Sequence, residues 1–129
     1  MVLVDSSVWI DYFNGAATRE TDVLDGLLGT EPVAVGDLIL VEVLQGFRRD
    51  SDYRTARDVL EGLPVFELLG RRRARHVAEH YRALRKRGVT VRKTTDAVIA
   101  SFCIAERFPL LYSDRDFDPF VSHLGLQRA

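Results

Sequence analysis

Two patterns of apolar positions alternate along the chain. Short, mostly apolar runs stand at Val2-Leu3-Val4, Val33-Ala34-Val35, Val65-Phe66-Glu67-Leu68 and Leu110-Leu111-Tyr112, and each reads as a brief strand of a sheet covered on both faces. Between them, apolar residues return every three or four positions, the spacing of a helix with one buried side. Val8, Trp9, Tyr12 and Phe13 predict a first helix, capped by the serines after Asp5 and ended by Gly15. A second runs from Thr18 to Leu28 with Gly29 as its stop, and Pro32 breaks the chain before the next strand. Asp37 is placed to cap a third helix, Leu38 to Phe47, which is apolar on nearly every side and is expected to be buried all round. A fourth spans Tyr53 to Leu63, closing near Gly62 and Pro64.

The longest helix is predicted over Arg71–Arg87. Ala74, Val77, Ala78, Tyr81 and Leu84 form its apolar stripe, Arg72, Arg75, Glu79, Arg82 and Lys86 lie opposite, and Gly88 stops it. A last helix, Thr95 to Arg107, is apolar through its middle, and Pro109 precedes the final strand. Strands separated by helices predict the α/β class: a three-layer α/β/α sandwich with a central, mostly parallel sheet. No repeat, linker or low-complexity segment divides residues 1–129, so one domain is expected.

Composition narrows the choice little further. With 47% hydrophobic and 29% charged residues and a net charge of -1, the chain has the make-up of an ordinary globule. The single Cys103 cannot form an internal disulfide or a thiolate cage; set in Ile99-Ala100-Ser101-Phe102-Cys103-Ile104, it reads as a buried structural thiol in a reducing compartment. No apolar run approaches the roughly 18 residues that cross a bilayer, and no basic region precedes an apolar one at the N-terminus. The cytoplasm is the expected location, with no membrane partner.

Several acids stand where apolar packing would otherwise continue. Asp5 and Asp114 both follow strand candidates, and in parallel sheets the carboxyl ends of strands line the ligand crevice. Glu42 interrupts Leu38-Ile39-Leu40-Val41-Glu42-Val43-Leu44, where a dry setting would require protonation, a paired cation or a metal. Asp96 opens a strongly apolar helix, at the end where the helix dipole favours negative charge. Each has a plain structural alternative: a turn or cap for Asp5 and Asp96, the wet side of its helix for Glu42, and an acidic turn for Asp114, Asp116 and Asp118. Four carboxylates in one pocket would repel one another without cations, and such hard oxygen ligands favour Mg2+ or Mn2+ over zinc. His76, His80 and His123 do not make a convincing zinc set, and neither a phosphate-binding glycine loop nor a glycine-flanked serine is present.

Charge is unevenly spread. Residues 71–93 hold ten lysines and arginines against the single acid Glu79, a net +9, so the rest of a chain of overall charge -1 carries -10. Such a stretch is the footprint expected where phosphates bind, with Arg72, Arg75, Arg82, Arg85, Lys86, Arg92 and Lys93 as the candidate phosphate contacts; the alternative is a solvated helix face. Because it runs directly into Asp96, it is expected to adjoin the acidic pocket, an arrangement suited to a nuclease.

Four segments together resemble those of the PIN domain family, and in particular the VapC toxins of type II toxin-antitoxin systems. They are Val4-Asp5-Ser6-Ser7 with Trp9-Ile10, Glu42 in an apolar helix, Thr95-Asp96-Ala97-Val98-Ile99-Ala100, and Leu111-Tyr112-Ser113-Asp114-Arg115-Asp116-Phe117. The resemblance covers essentially the whole chain. It implies a Mg2+- or Mn2+-dependent endoribonuclease that cuts particular RNAs, of the tRNA or ribosomal RNA class, and is silenced by a VapB-type antitoxin. Asp5, Glu42, Asp96 and Asp114 match the family's catalytic, metal-binding quartet, and Asp116 shares or replaces the last position. Ser7 matches a supporting position, Ser113 stands where many relatives have threonine, and Thr95 is placed beside them. The resemblance also implies a homodimer, with the antitoxin across an apolar groove that Trp9, Tyr12 and Phe13 would help line unless they are core.

Two other readings of the residues remain. A receiver-type phosphoacceptor domain also gathers acids at strand ends, but it should carry a lysine after a late strand, and the last lysine here is Lys93. A catalytically inert PIN scaffold that binds RNA or protein is the other.

Overall fold

The computed structural model describes residues 1–129. Four short strands form the sheet: β1 (Val2–Val4), β2 (Val33–Gly36), β3 (Val65–Phe66) and β4 (Leu110–Leu111), in the spatial order β3-β2-β1-β4 and parallel throughout. Leu3 pairs with Ala34 on one side and with Leu110 on the other. The helices are α1 (Ser6–Phe13), α2 (Arg19–Leu27), α3 (Asp37–Leu44), α4 (Asp50–Glu61), α5 (Gly70–Lys86), α6 (Thr94–Glu106) and α7 (Asp118–Leu124). The chain moves outward from β1 to β2 to β3, then returns past β1 to lay down β4. With right-handed crossovers, that reversal sends α1–α4 to one face and the later helices to the other, and α5 packs on α6 and α7 while α1 packs on α2 and α3. The expected α/β/α sandwich is thus observed.

The strands are apolar because both faces are covered. Leu3, Val4, Ala34, Val35, Leu110 and Leu111 are all fully buried. Asp96 through Cys103 form an unbroken buried run on α6, the helix embedded deepest. Cys103 is buried as expected, and burial pushes its thiol pKa up, so it is an inert core residue. Trp9 is fully buried and stacks on Phe13 with ring centroids 5.8 Å apart, which makes it core and removes it from any surface groove.

Several local expectations are corrected. The cap of α1 is Asp5 itself, whose carboxylate accepts the Ser7 backbone N–H at 3.2 Å, rather than a serine. Gly36, not Asp37, caps α3; the Asp37 carboxylate accepts the Leu38 N–H at 2.8 Å and reaches across to the Leu68 N–H at 3.1 Å. That helix ends at Leu44 and buries only Ile39 and Val43, leaving Val41 57% exposed, because helices flank just part of its circumference. The strand at Val65 lasts two residues instead of four, and Tyr112 lies beyond β4.

On α5 the buried stripe is rotated from its predicted position. Val77 and Leu84 are buried, while Ala74 and Ala78 are exposed beside an open groove. Arg73 and His80 face α6 instead: Arg73 pairs with Glu106 and lies 4.7 Å from the Phe102 ring centroid, and His80 Nδ1 is 2.8 Å from the Ser101 hydroxyl. Long side chains whose polar ends find partners fill the helix–helix seam that the alanines are too small to fill. The C-terminal region is also more ordered than an acidic turn. A 3-10 turn at Arg115–Phe117 leads into α7 with Pro119 in its first turn, and Leu126–Ala129 then runs alongside β4, the Leu110 N–H donating to the Gln127 carbonyl at 2.9 Å.

Gly36 is required by space. A methyl group there would stand 2.3 Å from Cδ1 of Leu68, which is fully buried and has nowhere to retreat. Gly36→Ala is expected to lower unfolding stability by about 1–3 kcal/mol through overpacking. In urea titrations the Gly36→Ala, Leu68→Ala double variant should lose at least ~0.5 kcal/mol less than the two single losses added together, since one relieves the other; strict additivity would place the cost elsewhere.

Candidate active site

Pairing of β1 with β4 puts the ends of the first and last strands side by side, and the Asp5 N–H donates to the Leu111 carbonyl at 2.9 Å. Because the chain leaves β1 toward β2 but returns to β4 on the other flank, this is the sheet's switch point, where a crevice opens at the carboxyl ends of the strands. Asp5 enters it from β1, and Asp114 from the loop after β4. Glu42 arrives from the second turn of α3 and Asp96 from the first turn of α6. All four line one cleft of 260 Å³. Ser6, Ser7, Ile10, Gln45 and Lys93 complete its walls.

Asp5 is held firmly. Its Oδ2 accepts the Ser7 hydroxyl at 2.6 Å as well as the Ser7 N–H, and the Ser113 hydroxyl donates to Ser7 Oγ at 3.3 Å. The two serines are thus linked in series to Asp5. Thr95 does not line the cleft. Asp114 caps the 3-10 turn by accepting the Asp116 N–H at 3.0 Å, and the Tyr112 hydroxyl donates to Asp118 at 2.7 Å, anchoring the acidic loop at its other end. Oxygens of Asp96, Asp114 and Asp116 can all lie within 4.8 Å of one another. Both Asp114 and Asp116 thus reach Asp96.

The electrostatics of this arrangement are unfavourable for charge. Burial raises the pKa of Asp5, opposed by its Ser7 hydrogen bonds and reinforced by Asp114. Glu42 is raised by burial and by Asp5, with the Ser6 hydroxyl and Lys93 pulling the other way. Asp96 is pushed up to about 7, by burial first and then by Asp5, against the opposing pull of Lys93, with Asp114 and Asp116 adding further repulsion. Asp96 Oδ2 and Glu42 Oε1 are buried and have no hydrogen-bond partner. Two orphaned acceptor oxygens in a cleft of like charges are the donor set that suits a hard divalent cation.

The basic stretch is dispersed around this cleft. Lys93 lines it, and Arg92 lies 3.4 Å from Asp116 at its edge. Arg82 stands on the groove between α5 and α6, the Arg85 guanidinium sits 5.8 Å from the Tyr81 ring centroid, and Lys86 is exposed near the end of α5. Arg75 is engaged with Glu79 at 3.3 Å, and Arg72 joins Arg73 and His76 around a separate polar cleft beside Glu106. Asp96 and Glu106 are ten residues apart on α6, about 15 Å along its axis, so that second cleft lies at the far end of the helix. Direct adjacency to the acids therefore holds for Arg92 and Lys93. Ile10 and Gln45 were not anticipated in the cleft, although each carried a signal: Ile10 follows Ser7 and Gln45 follows Glu42 at i+3, the spacing that shares a helix face.

Comparison with known proteins accords with this geometry. The PIN domain family model matches residues 2–120. A VapC ribonuclease of Mycobacterium bovis and the ribonuclease VapC11 of Mycobacterium tuberculosis are each 31% identical to the chain over 131 residues, covering all of it and 98% of their own length. Among solved structures, VapBC2 from Rickettsia felis, bound to a DNA fragment from its promoter, superposes with a TM-score of 0.79 at 18% identity over 100% of this chain and 98% of that one. The toxin VapC20 of Mycobacterium tuberculosis, which cleaves the sarcin-ricin loop, superposes with a TM-score of 0.68 at 16% identity, again covering 100% and 98%. The match of the family model over residues 2–120 and full-length similarity to VapC ribonucleases exclude the receiver-type reading: the chain belongs to the PIN domain family.

Proposed function

We propose that the chain is the ribonuclease toxin of a VapBC-type toxin-antitoxin pair, an endoribonuclease that cleaves an RNA of the tRNA or ribosomal RNA class in the cytoplasm with Mg2+ or Mn2+ bound. The observation that carries this reading is the convergence of Asp5, Glu42, Asp96 and Asp114 on one cleft that contains a single lysine. Full-length similarity to proteins named as ribonucleases supports the RNA substrate. Structural neighbours that are toxin-antitoxin complexes support a VapB-type partner. Apolar contacts are available to that partner: Phe13 and Phe47 line a cleft together with Asn14, Asp52 and Thr55, and Ile10 and Val41 are exposed on α1 and α3. A homodimer is part of the same proposal. No helix of the chain is long and apolar enough to cross a membrane.

Each side chain has a distinct task in this mechanism. Asp96, Asp114 and Asp116, whose oxygens come within 4.8 Å of one another, would hold the cation, and Glu42 would add its unpartnered oxygen from the wall of the same cleft. Asp5, one oxygen already committed to Ser7, fixes the angle at which the remaining oxygen faces the cleft. A bound divalent cation supplies a water of lowered pKa and a counter-charge for the scissile phosphate. Lys93 meets phosphate oxygens at the cleft wall, and Arg92 leaves Asp116 to engage the flanking phosphate. More distant phosphates fall to Arg82, Arg85 and Lys86.

Asp96→Asn keeps the size of the side chain and removes its charge. The variant should remain folded by circular dichroism and lose at least about a hundredfold in single-turnover RNA cleavage; cleavage at the parent's rate would reduce Asp96 to a helix-start residue. Burial of unneutralised carboxylates also sets a pH dependence. Asp96 binds its proton more tightly folded, about 7, than its ordinary value of 3.8, so stability of the metal-free protein should fall as pH rises through that window. Thermal midpoints measured from pH 4.5 to 7.5 should decline, Mg2+ or Mn2+ should raise them at the upper end, and Glu42→Gln should weaken that rise. A midpoint insensitive to metal at pH 7.5 would contradict the site.

The basic surface gives a separate test. Replacing Arg82, Arg85 and Lys86 together with Gln keeps good helix formers on α5. If all three contact phosphates, the slope of log affinity against log salt should flatten by roughly two units for single-stranded RNA. The metal-induced rise in thermal midpoint should be retained. Parental affinity and slope would leave these residues as a solvated helix face.

A further inference from the structure

The walls of the acidic cleft divide by chemistry. Asp5, Glu42, Asp96 and Asp114 are suited to a cation, Ser7 is committed to Asp5, Ser6 acts on Glu42, and Lys93 carries the charge that a phosphate needs. Two side chains remain, Ile10 and Gln45, and neither can neutralise a phosphate or usefully bind a hard cation as a charged ligand. Both are exposed, Ile10 at 40%. They come from different helices: Ile10 from the α1 turn that follows Asp5 and Ser7, and Gln45 from the end of α3, one turn beyond Glu42. An apolar surface and a carboxamide thus share the cleft with the metal-binding acids.

We propose that Ile10 and Gln45 form the subsite for the nucleobase next to the cleaved bond, and that Gln45 determines which base is accepted. This rests on the ribonuclease reading given above. Contacts to phosphate position a strand without conveying its sequence, which must be read from base edges. An unpaired RNA base can be turned out of its stack and hydrogen-bonded along its edge. A carboxamide supplies two donors and one acceptor oxygen with two lone pairs, so it can pair in two directions at once with an edge that presents an acceptor beside a donor. Ile10 contributes an apolar surface for the base's face, a contact that every base can make. Specificity therefore resides in Gln45 and general affinity in Ile10. Because Gln45 caps the helix that carries Glu42, a base held by Gln45 is registered against the carboxylate three residues away, which couples base choice to placement of the scissile phosphate.

The test is cleavage of an RNA library of random sequence by the full chain with Mn2+, followed by sequencing of the new ends, with Asp96→Asn protein as background. The parent should leave ends with a clear preference at one position beside the cut. Gln45→Met keeps the length of the side chain and removes both hydrogen-bonding functions. In this variant kcat/KM on the preferred base should fall by about tenfold, and on the others by much less, so that the preference flattens. Ile10→Ala should raise KM on all RNAs and keep the parent's choice of base. The rise in thermal midpoint with Mn2+ should be unchanged in Gln45→Met, showing that the metal site is intact. If the parent produces no ends above background, the ribonuclease reading itself fails and the subsite with it. If the parent cleaves without preference, or Gln45→Met keeps the parent's preference, the ribonuclease reading stands and the assignment of Gln45 is overturned.

Discussion

The parallel contact between β1 and β4 is the constraint on which the rest of the structure depends. Leu3 pairs with Leu110 and Val4 with Leu111, so the first and last strands, more than a hundred residues apart in the chain, end at the same level. Their apolar side chains are buried on both faces, so packing holds in place strands only two or three residues long. Asp5 then stands against the loop that bears Asp114, with the Ser113 and Ser7 hydroxyls joining the two strand ends. A shift of β4 by one residue would turn Asp114 away from Asp5 and Asp96, and would exchange the faces on which Leu110 and Leu111 are buried.

Folding in this way brings like charges together. Desolvation is the largest cause of the raised proton affinity at Asp5, Glu42 and Asp96, and mutual repulsion adds to it. Lys93 at the cleft and Arg92 beside Asp116 offset only part of that charge. The offset comes from residues at or near the first turn of α6, the helix that carries Asp96 itself. The core thus supports a locally unfavourable cleft, as expected where charged groups are arranged for chemistry instead of stability. A cation that replaces the missing counter-charge converts this local cost into binding free energy.

Much of this was legible in the sequence, and the reasons for success and failure are physical. Uninterrupted apolar runs such as Val2-Leu3-Val4 and Val33-Ala34-Val35 identify strands covered on both faces, and acids placed directly after such runs, or within apolar helices as Glu42 is, conflict with their surroundings strongly enough to stand out. Periodicity was less reliable where long side chains take part in packing. Arg73 and His80 enter the α5–α6 seam through polar partners on α6, Glu106 and Ser101, which no local pattern reveals. The apolar stripe read from the sequence therefore includes Ala74 and Ala78, which are exposed, beside Val77 and Leu84, which are buried. Likewise, the apolar character of Leu38-Ile39-Leu40-Val41 suggested burial on all sides, whereas Val41 faces solvent. The C-terminal helix was hidden because its acids resemble a turn, and its identity depends on Pro119 and on the anchoring of Asp118 by Tyr112. Charge density along Arg71–Lys93 was plain in the sequence, but its distribution over separate surfaces required the fold.

The central claim is that these carboxylates, partly protonated when free, bind a divalent cation as the reactive centre of the molecule. Ligands must be deprotonated to bind metal, so binding should release protons whenever the free site holds them. Calorimetric titration of Mn2+ into the metal-free protein, in two buffers of different ionisation enthalpy, counts those protons directly. Near pH 6, below the value of about 7 at Asp96, binding should release close to one proton or more, and release should diminish above pH 8. Binding with no proton release at pH 6, or no binding heat at either pH, would contradict the account.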